Sequence, residues 1–179
     1  MRPTKPGLPW YSPACAISGT DPTMRALLIS AVLAFALDQG SKYHALYFLD
    51  LDRVGVVPIC PPYLVYQMAW NTGVNFGLFG SDAATMRWVL VMLSIVISVW
   101  VFVWVRKERL GRLANIAAGL LIGGALGNAV DRIFYGAVVD FLNMSCCGIQ
   151  NPFSFNVADI FVFAGAIGLV LFSSSKKTP

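Results

Sequence analysis

Between Trp88 and Val105 the chain reads WVLVMLSIVISVWVFVWV, without one charged residue. A membrane-spanning helix needs about 20 mostly apolar residues, and this run constrains the fold more than any other. Three further stretches follow the same pattern: about Arg25 to Lys42, Leu113 to Val130 and about Phe155 to Phe172. The first and last each contain a carboxylate, Asp38 and Asp159. Composition agrees. Charged residues make up 12% of the 179 residues and hydrophobic ones 57%, with a mean hydropathy of +0.67. Soluble domains carry roughly 25% charged residues. An ordinary soluble domain and a disordered chain are excluded, and a net charge of +4, spread thinly, does not make a nucleic-acid surface.

Four spans place both termini on one side, and the basic residues indicate which. Nine of the 13 lie in the N-terminal segment (Arg2, Lys5, Arg25), the loop between spans two and three (Arg106, Lys107, Arg109, Arg112) or the C-terminal tail (Lys176, Lys177). These parts are expected in the cytoplasm, and segments of about 43–86 and 131–154 outside. Residues 1–23 are polar and Pro-rich, lack the apolar core of a signal peptide, and read as a disordered cytoplasmic extension. Residues 175–179 form a cytoplasmic tail, and 24–174 the membrane domain.

The outer segment 43–86 contains Tyr63 to Trp70, YLVYQMAW, preceded by Pro58, Pro61 and Pro62. Its β-formers after a turn predict strand, running on into Asn71-Thr72-Gly73. The second outer segment is broken by Gly136, Gly148 and Pro152. The expected architecture is an all-α membrane protein, a four-transmembrane-helix bundle with a small β-rich outer subdomain. Gly119, Gly123 and Gly127 recur every fourth residue on span three, a face that lets another helix approach closely.

Seven of the nine acids lie at or beyond the outer helix ends. Asp50, Asp52 and Asp82 read as solvated loop charges. Asp38, Asp131, Asp140 and Asp159 lie in or beside apolar runs, where an ionisable group is costly and points to function. Local pairing offers a simpler account of three. Asp38 meets Lys42 at i+4, Asp131 has Arg132 beside it or caps the helix end, and Asp159 suits an N3 position behind an Asn156 N-cap. Asp140, in AVVDFL, has no local partner and needs a distant one, best met by Asp159 at the same depth. Two facing carboxylates share a proton and can activate water, as in aspartic peptidases. A proton-coupled transporter could use the same pair, and a scaffold could use these groups only to hold helices together.

Other chemistries are poorly supplied. The single His44 gives little basis for a metal site or a Ser-His-Asp triad. Cys15 lies in the extension. Cys60, Cys146 and Cys147 lie outside, where Cys60 either bridges one of the adjacent pair or remains a free thiol.

Four segments, taken together and in order, resemble bacterial lipoprotein signal peptidases (signal peptidase II). They are Asp38-Gln39-Gly40-Ser41-Lys42, Asn71 to Gly77, Gly123 to Arg132 running on to Val138-Val139-Asp140-Phe141, and Phe155-Asn156-Val157-Ala158-Asp159. The resemblance spans about residues 24–174. It implies an aspartic endopeptidase of the inner membrane that cleaves prolipoproteins just before a diacylglyceryl-modified cysteine. It makes Asp140 and Asp159 the catalytic pair, near the periplasmic face. Asn71, Gly73, Asn128 and Arg132 then line the substrate pocket, and Asp38, Lys42, Asp131 and Asn156 support the site. It also implies inhibition by the cyclic lipopeptide globomycin, no metal or organic cofactor, membrane lipid as surroundings, no nucleic acid, and a monomer. Val74-Asn75 stands where two small residues are common, and the extension and Cys146-Cys147 fall outside the family pattern.

Overall fold

The structure is a computed structural model that describes residues 21–73, 83–145 and 151–173. Most of the N-terminal extension, Val74-Asn75, Asp82, Cys146-Cys147 and the C-terminal tail lie outside the described residues. Helix α1 spans Pro22–Tyr43 and continues as a π-helical turn, His44–Phe48. A short α2 (Leu51–Val54) leads into strands β1 (Val56–Cys60) and β2 (Leu64–Asn71). Helices α3 (Ala83–Lys107) and α4 (Arg112–Tyr135) follow, then strand β3 (Val138–Asn143) and helix α5 (Val157–Ser173).

Three helical stretches are long and apolar enough to cross a membrane: Pro22–Phe48, Ala84–Lys107 and Arg112–Tyr135. Helix α5 is apolar but has 17 residues, a rise of roughly 26 Å. Several boundaries differ from expectation: α3 begins at Ala83 rather than Trp88, and α4 runs on to Tyr135 rather than ending at Val130. Helix α1 starts at Pro22, because Asp21 accepts the Thr23 N–H at 3.0 Å and Pro22 occupies the first turn. Helix α5 starts only at Val157, because Phe155 is held by β3. The Phe141 and Leu142 N–H groups donate to the Phe155 carbonyl at 3.1 and 2.8 Å, and the Phe155 N–H donates to Leu142 at 3.0 Å.

Helix α4 is the central element and packs against α1, α3 and α5. Its buried face is made of small residues, among them Ala114, Ala117, Ala118, Gly119, Gly123, Gly124 and Gly127. The expected glycine stripe faces α1. A Cβ on Gly123 would collide with the Ala31 carbonyl, and one on Gly127 with the Asp38 carboxylate. The second collision matters for function, since only glycine lets a carboxylate of α1 lie against the α4 backbone. Apolar side chains of α1, α3 and α5 point outward instead, including Val32, Leu37, Val96, Trp100, Phe163 and Val170. This distribution suits surrounding lipid rather than water.

The sheet is antiparallel in the order β1-β2-β3. The first two strands lie in the expected outer segment. The third comes from the second outer segment and adds to the all-α expectation a three-stranded sheet that carries Asp140. Val139 and Phe141 on β3 join Ala45 and Leu51 in a second buried cluster beneath the sheet. Asp140 lies opposite Ala69 of β2, two residues from Asn71. Cys60 is a free, exposed thiol at the end of β1.

Replacing Gly123 with alanine is expected to destabilise the bundle by about 1–3 kcal/mol, since backbone rather than a flexible side chain blocks the added carbon. Gly40 has open space around its Cα, so Gly40→Ala is expected to be neutral or slightly stabilising. Thermal unfolding in detergent micelles compares the two.

Candidate active site

Asp140 projects from β3 and is 2% exposed. Its Oδ2 accepts from the Asn71 amide at 2.9 Å and its Oδ1 from the Asn156 amide at 2.6 Å. Asn71 ends β2 and Asn156 precedes α5, so two elements converge on one carboxylate. Asp159 lies in the first turn of α5, half-buried. The Asn156 side chain accepts the Asp159 N–H at 2.9 Å, and the Asp159 carboxylate accepts the Asn156 N–H at 3.2 Å. This is the reciprocal cap that the Asn156–Asp159 spacing suggests. Asp159 Oδ1 also accepts from the Asn128 amide of α4 at 2.9 Å.

Asn128 and Asn156, hydrogen-bonded to each other at 3.0 Å, therefore link the two carboxylates, Asn71 adds a donor to Asp140, and donor-only groups set the orientation of all three. The Lys42 ammonium donates to Asn128 Oδ1 at 3.0 Å, the Asp159 N–H to Asn156 Oδ1, and the Gly73 N–H to Asn71 Oδ1 at 2.9 Å. Each amide oxygen is thus held by a group that can only donate. Each NH2 is left to face a carboxylate. Gly73 has φ +97°, in the left-handed region, and a Cβ there would meet Leu90 of α3 at 2.6 Å. Glycine is the residue that allows this turn.

Behind the pair lies a buried ionic cluster. Asp38, Lys42 and Asp131 are 0%, 3% and 1% exposed. Lys42 Nζ reaches Asp38 Oδ2 at 2.8 Å and Asp131 Oδ2 at 2.7 Å. With Asn128, that uses all three ammonium protons. Asp38 and Lys42 form the i,i+4 pair suggested by their spacing. Asp131 pairs across to α1 rather than with Arg132, because neighbours one residue apart on a helix do not face each other. Asp38 Oδ1 accepts the Ala158 N–H at 2.9 Å and Asp131 Oδ2 the Val139 N–H at 3.2 Å. Gln39 donates to Asp131 Oδ1 at 3.0 Å and to Asp38 Oδ2 at 3.1 Å. Sequence reasoning gave Gln39 no role, because its adjacency to Asp38 implies no shared face.

Arg132 donates to the Asn128 carbonyl at 3.2 Å, while its buried Nε has no partner among the described residues. It lines a cavity of about 400 Å³ with Asn128 and Asp159, walled by Leu90, Leu93, Ile97 and Val162. A second, apolar groove of about 600 Å³ reaches Asp159 past Phe155, Ile160, Phe163 and Ile167. Two greasy channels thus meet at one carboxylate.

Burial pushes the Asp140 carboxyl up to about 6, and the nearby Asp159 charge adds to this. The Asn71 and Asn156 hydrogen bonds and the Lys42 charge pull the other way, since they favour the ionised form. Removing one such donor with Asn71→Ala is expected to raise the Asp140 titration above 6. Infrared difference titration of the carboxyl groups, with Asp140→Asn to assign the band, measures it.

The comparisons with known proteins bear on the family. Residues 30–175 match the family model described as signal peptidase (SPase) II. A lipoprotein signal peptidase of Methylobacterium radiotolerans is 43% identical over 152 residues, covering 84% of this chain and 86% of the relative. One from Rhodopseudomonas palustris is 38% identical, covering 82% and 90%. A bacterial membrane enzyme solved by the in meso method at 1.9 Å superposes with a TM-score of 0.70 at 26% identity, over 86% of this chain and 95% of that one. A family match over most of the chain, with relatives this similar along nearly their whole length, places the protein in the signal peptidase II family.

Proposed function

We propose that this protein is an intramembrane aspartic endopeptidase that removes signal peptides from prolipoproteins, cleaving before the lipidated cysteine, with Asp140 and Asp159 as its catalytic pair. The observation that carries this reading is the asparagine lattice, which links two carboxylates through hydrogen bonds at a point that two apolar grooves reach. The family match and the relatives favour proteolysis over proton-coupled transport by the same pair.

In this reading α1, α3, α4 and α5 all span the inner membrane, with both termini cytoplasmic. Residues 24–174 form the peptidase domain, and 43–86 contribute the periplasmic β-rich insertion. The pair lies near the periplasmic face. The signal helix and the diacylglyceryl chains enter sideways from lipid, taking up the apolar grooves. The scissile amide then lies beside Asp159 and Asp140, one ionised and one protonated. The ionised carboxylate takes a proton from water as the oxygen attacks the carbonyl carbon. The protonated one gives its proton to the leaving nitrogen as the C–N bond breaks. The products are a carboxylate on the signal peptide and a free amine on the lipidated cysteine. Arg132, with its unused donor, and Asn128 orient the peptide carbonyl or stabilise its developing charge. Asn71 and the Gly73 turn close the substrate pocket, while Asp38, Lys42, Asp131 and Asn156 hold the site in shape. The chemistry runs in a monomer.

Asp140→Asn and Asp159→Asn are each expected to abolish cleavage of a diacylglyceryl prolipoprotein, read by gel shift, while the protein remains folded. Substantial cleavage by either purified variant would sink the assignment. Globomycin is expected to block the wild-type reaction in the same assay.

A further inference from the structure

A cavity of about 370 Å³ lies at the other end of the bundle from the acid pair. On α4 alone, roughly 24 Å of rise separates Arg112 at this end from Asn128 at the pair. The cavity is lined by Asp21 at the start of α1, Val105 and Arg106 of α3, Arg109 and Leu110 in the following turn, and Asn115 of α4. Val105 and Leu110 are buried and make its floor apolar, while Arg106 and Arg109 are exposed at its rim. The uncharged run of α3 ends at Val105. Arg106 therefore stands where hydrocarbon gives way to lipid headgroups.

The turn that carries Arg109 is built at a cost. Arg109 has φ +49°, a left-handed conformation that the end of a helix ordinarily gives to glycine. It is locked from both sides. Asn115, 2% exposed, donates to the Leu110 and Gly111 carbonyls at 2.8 and 3.0 Å, and the Leu110 N–H donates to the Val105 carbonyl at 3.3 Å. The one acid of the cavity is already engaged. Asp21 Oδ1 accepts from the Thr23 N–H and hydroxyl at 3.0 and 2.9 Å, and its Oδ2 lies 3.9 Å from Arg106. That ion pair is long and half-exposed, so it holds Arg106 weakly. Among the described residues this end also carries Arg25, Lys107 and Arg112 against Glu108, which leaves it net positive.

We propose that this cavity binds the phosphate of an anionic phospholipid headgroup between Arg106 and Arg109. A phosphodiester presents oxygens that match the guanidinium fork, and basic pockets between spanning helices at headgroup depth suit such lipids. The cavity joins the start of α1, the end of α3 and the start of α4, so an occupied site stabilises the bundle by mass action. The site is separate from Asp140 and Asp159 and does not depend on the peptidase reading.

The test uses the purified full chain, delipidated in an uncharged detergent, with dioleoyl phosphatidylglycerol, dioleoyl phosphatidylethanolamine or inorganic phosphate added. Native mass spectrometry reads binding, and thermal unfolding reads stabilisation. Wild type is expected to bind phosphatidylglycerol at least about 10-fold more tightly than phosphatidylethanolamine, and to unfold at a higher temperature with it. The double variant Arg106→Gln/Arg109→Gln is expected to lose both effects. Lys107→Gln/Arg112→Gln removes the same charge from residues that do not line the cavity, and is expected to keep the affinity within about threefold. Equal loss in the two double variants means diffuse attraction and overturns the proposal, as does equal binding of the two lipids by wild type. Displacement of phosphatidylglycerol by an equal concentration of inorganic phosphate makes the ligand a free anion and overturns the lipid as occupant. Arg109→Gly separates binding from folding. Glycine suits the left-handed turn, so this variant without lipid is expected to unfold at an unchanged or higher temperature while its phosphatidylglycerol affinity falls. If Arg106→Gln/Arg109→Gln does not fold, Arg109→Gly decides, and wild-type affinity there overturns the proposal.

Discussion

The structure turns on the burial of one ammonium between two carboxylates. Lys42, Asp38 and Asp131 are almost wholly removed from solvent, and such charges are costly unless every proton and lone pair finds a partner. Meeting that demand dictates much of the architecture. Helix α4 must present glycine where Asp38 approaches. Gln39 must turn its amide toward both acids. The starts of β3 and α5 must bring their backbone N–H groups to the remaining oxygens. A cluster of this kind adds little net stability compared with well-packed apolar residues. Its effect is to permit one arrangement of α1, α4, β3 and α5.

The same economy of charge explains how a mostly apolar chain supports hydrolysis. Lipid-facing side chains of α1, α3 and α5 are greasy, and the polar groups gather at one end of the bundle. There the asparagines serve as neutral spacers. They give hydrogen bonds to both carboxylates without adding charge, and donor-only neighbours fix which way each amide points. Asp140 stays buried while Asp159 faces two apolar cavities.

Much of this was legible in the chain. The uncharged run from Trp88 to Val105 lies within α3, the Asp38–Lys42 spacing gives an ion pair, and the Asn156–Asp159 spacing gives a reciprocal cap. All three depend on residues close in sequence. The third strand was less legible. AVVDFL is apolar on both sides of Asp140 and shows no clean alternation, because nearly all of β3 is buried. Gln39 and the true partner of Asp131 were also hidden, since each acts across the α1–α4 interface.

By itself the sequence determined that this is a membrane protein, where its apolar helices run, and which few ionisable residues are too costly to be incidental. Those conclusions follow from local hydrophobicity and helical spacing, which need no knowledge of distant neighbours. Only the tertiary structure decided how these four acids divide their contacts. Asp38 and Asp131 close on Lys42 and hold backbone, while Asp140 and Asp159 are left to the asparagines. The physical reason is that a carboxylate's role depends on which donors reach it. Here several of those donors come from residues distant in sequence, through Asn128 on Asp159, Asn71 on Asp140 and Ala158 on Asp38.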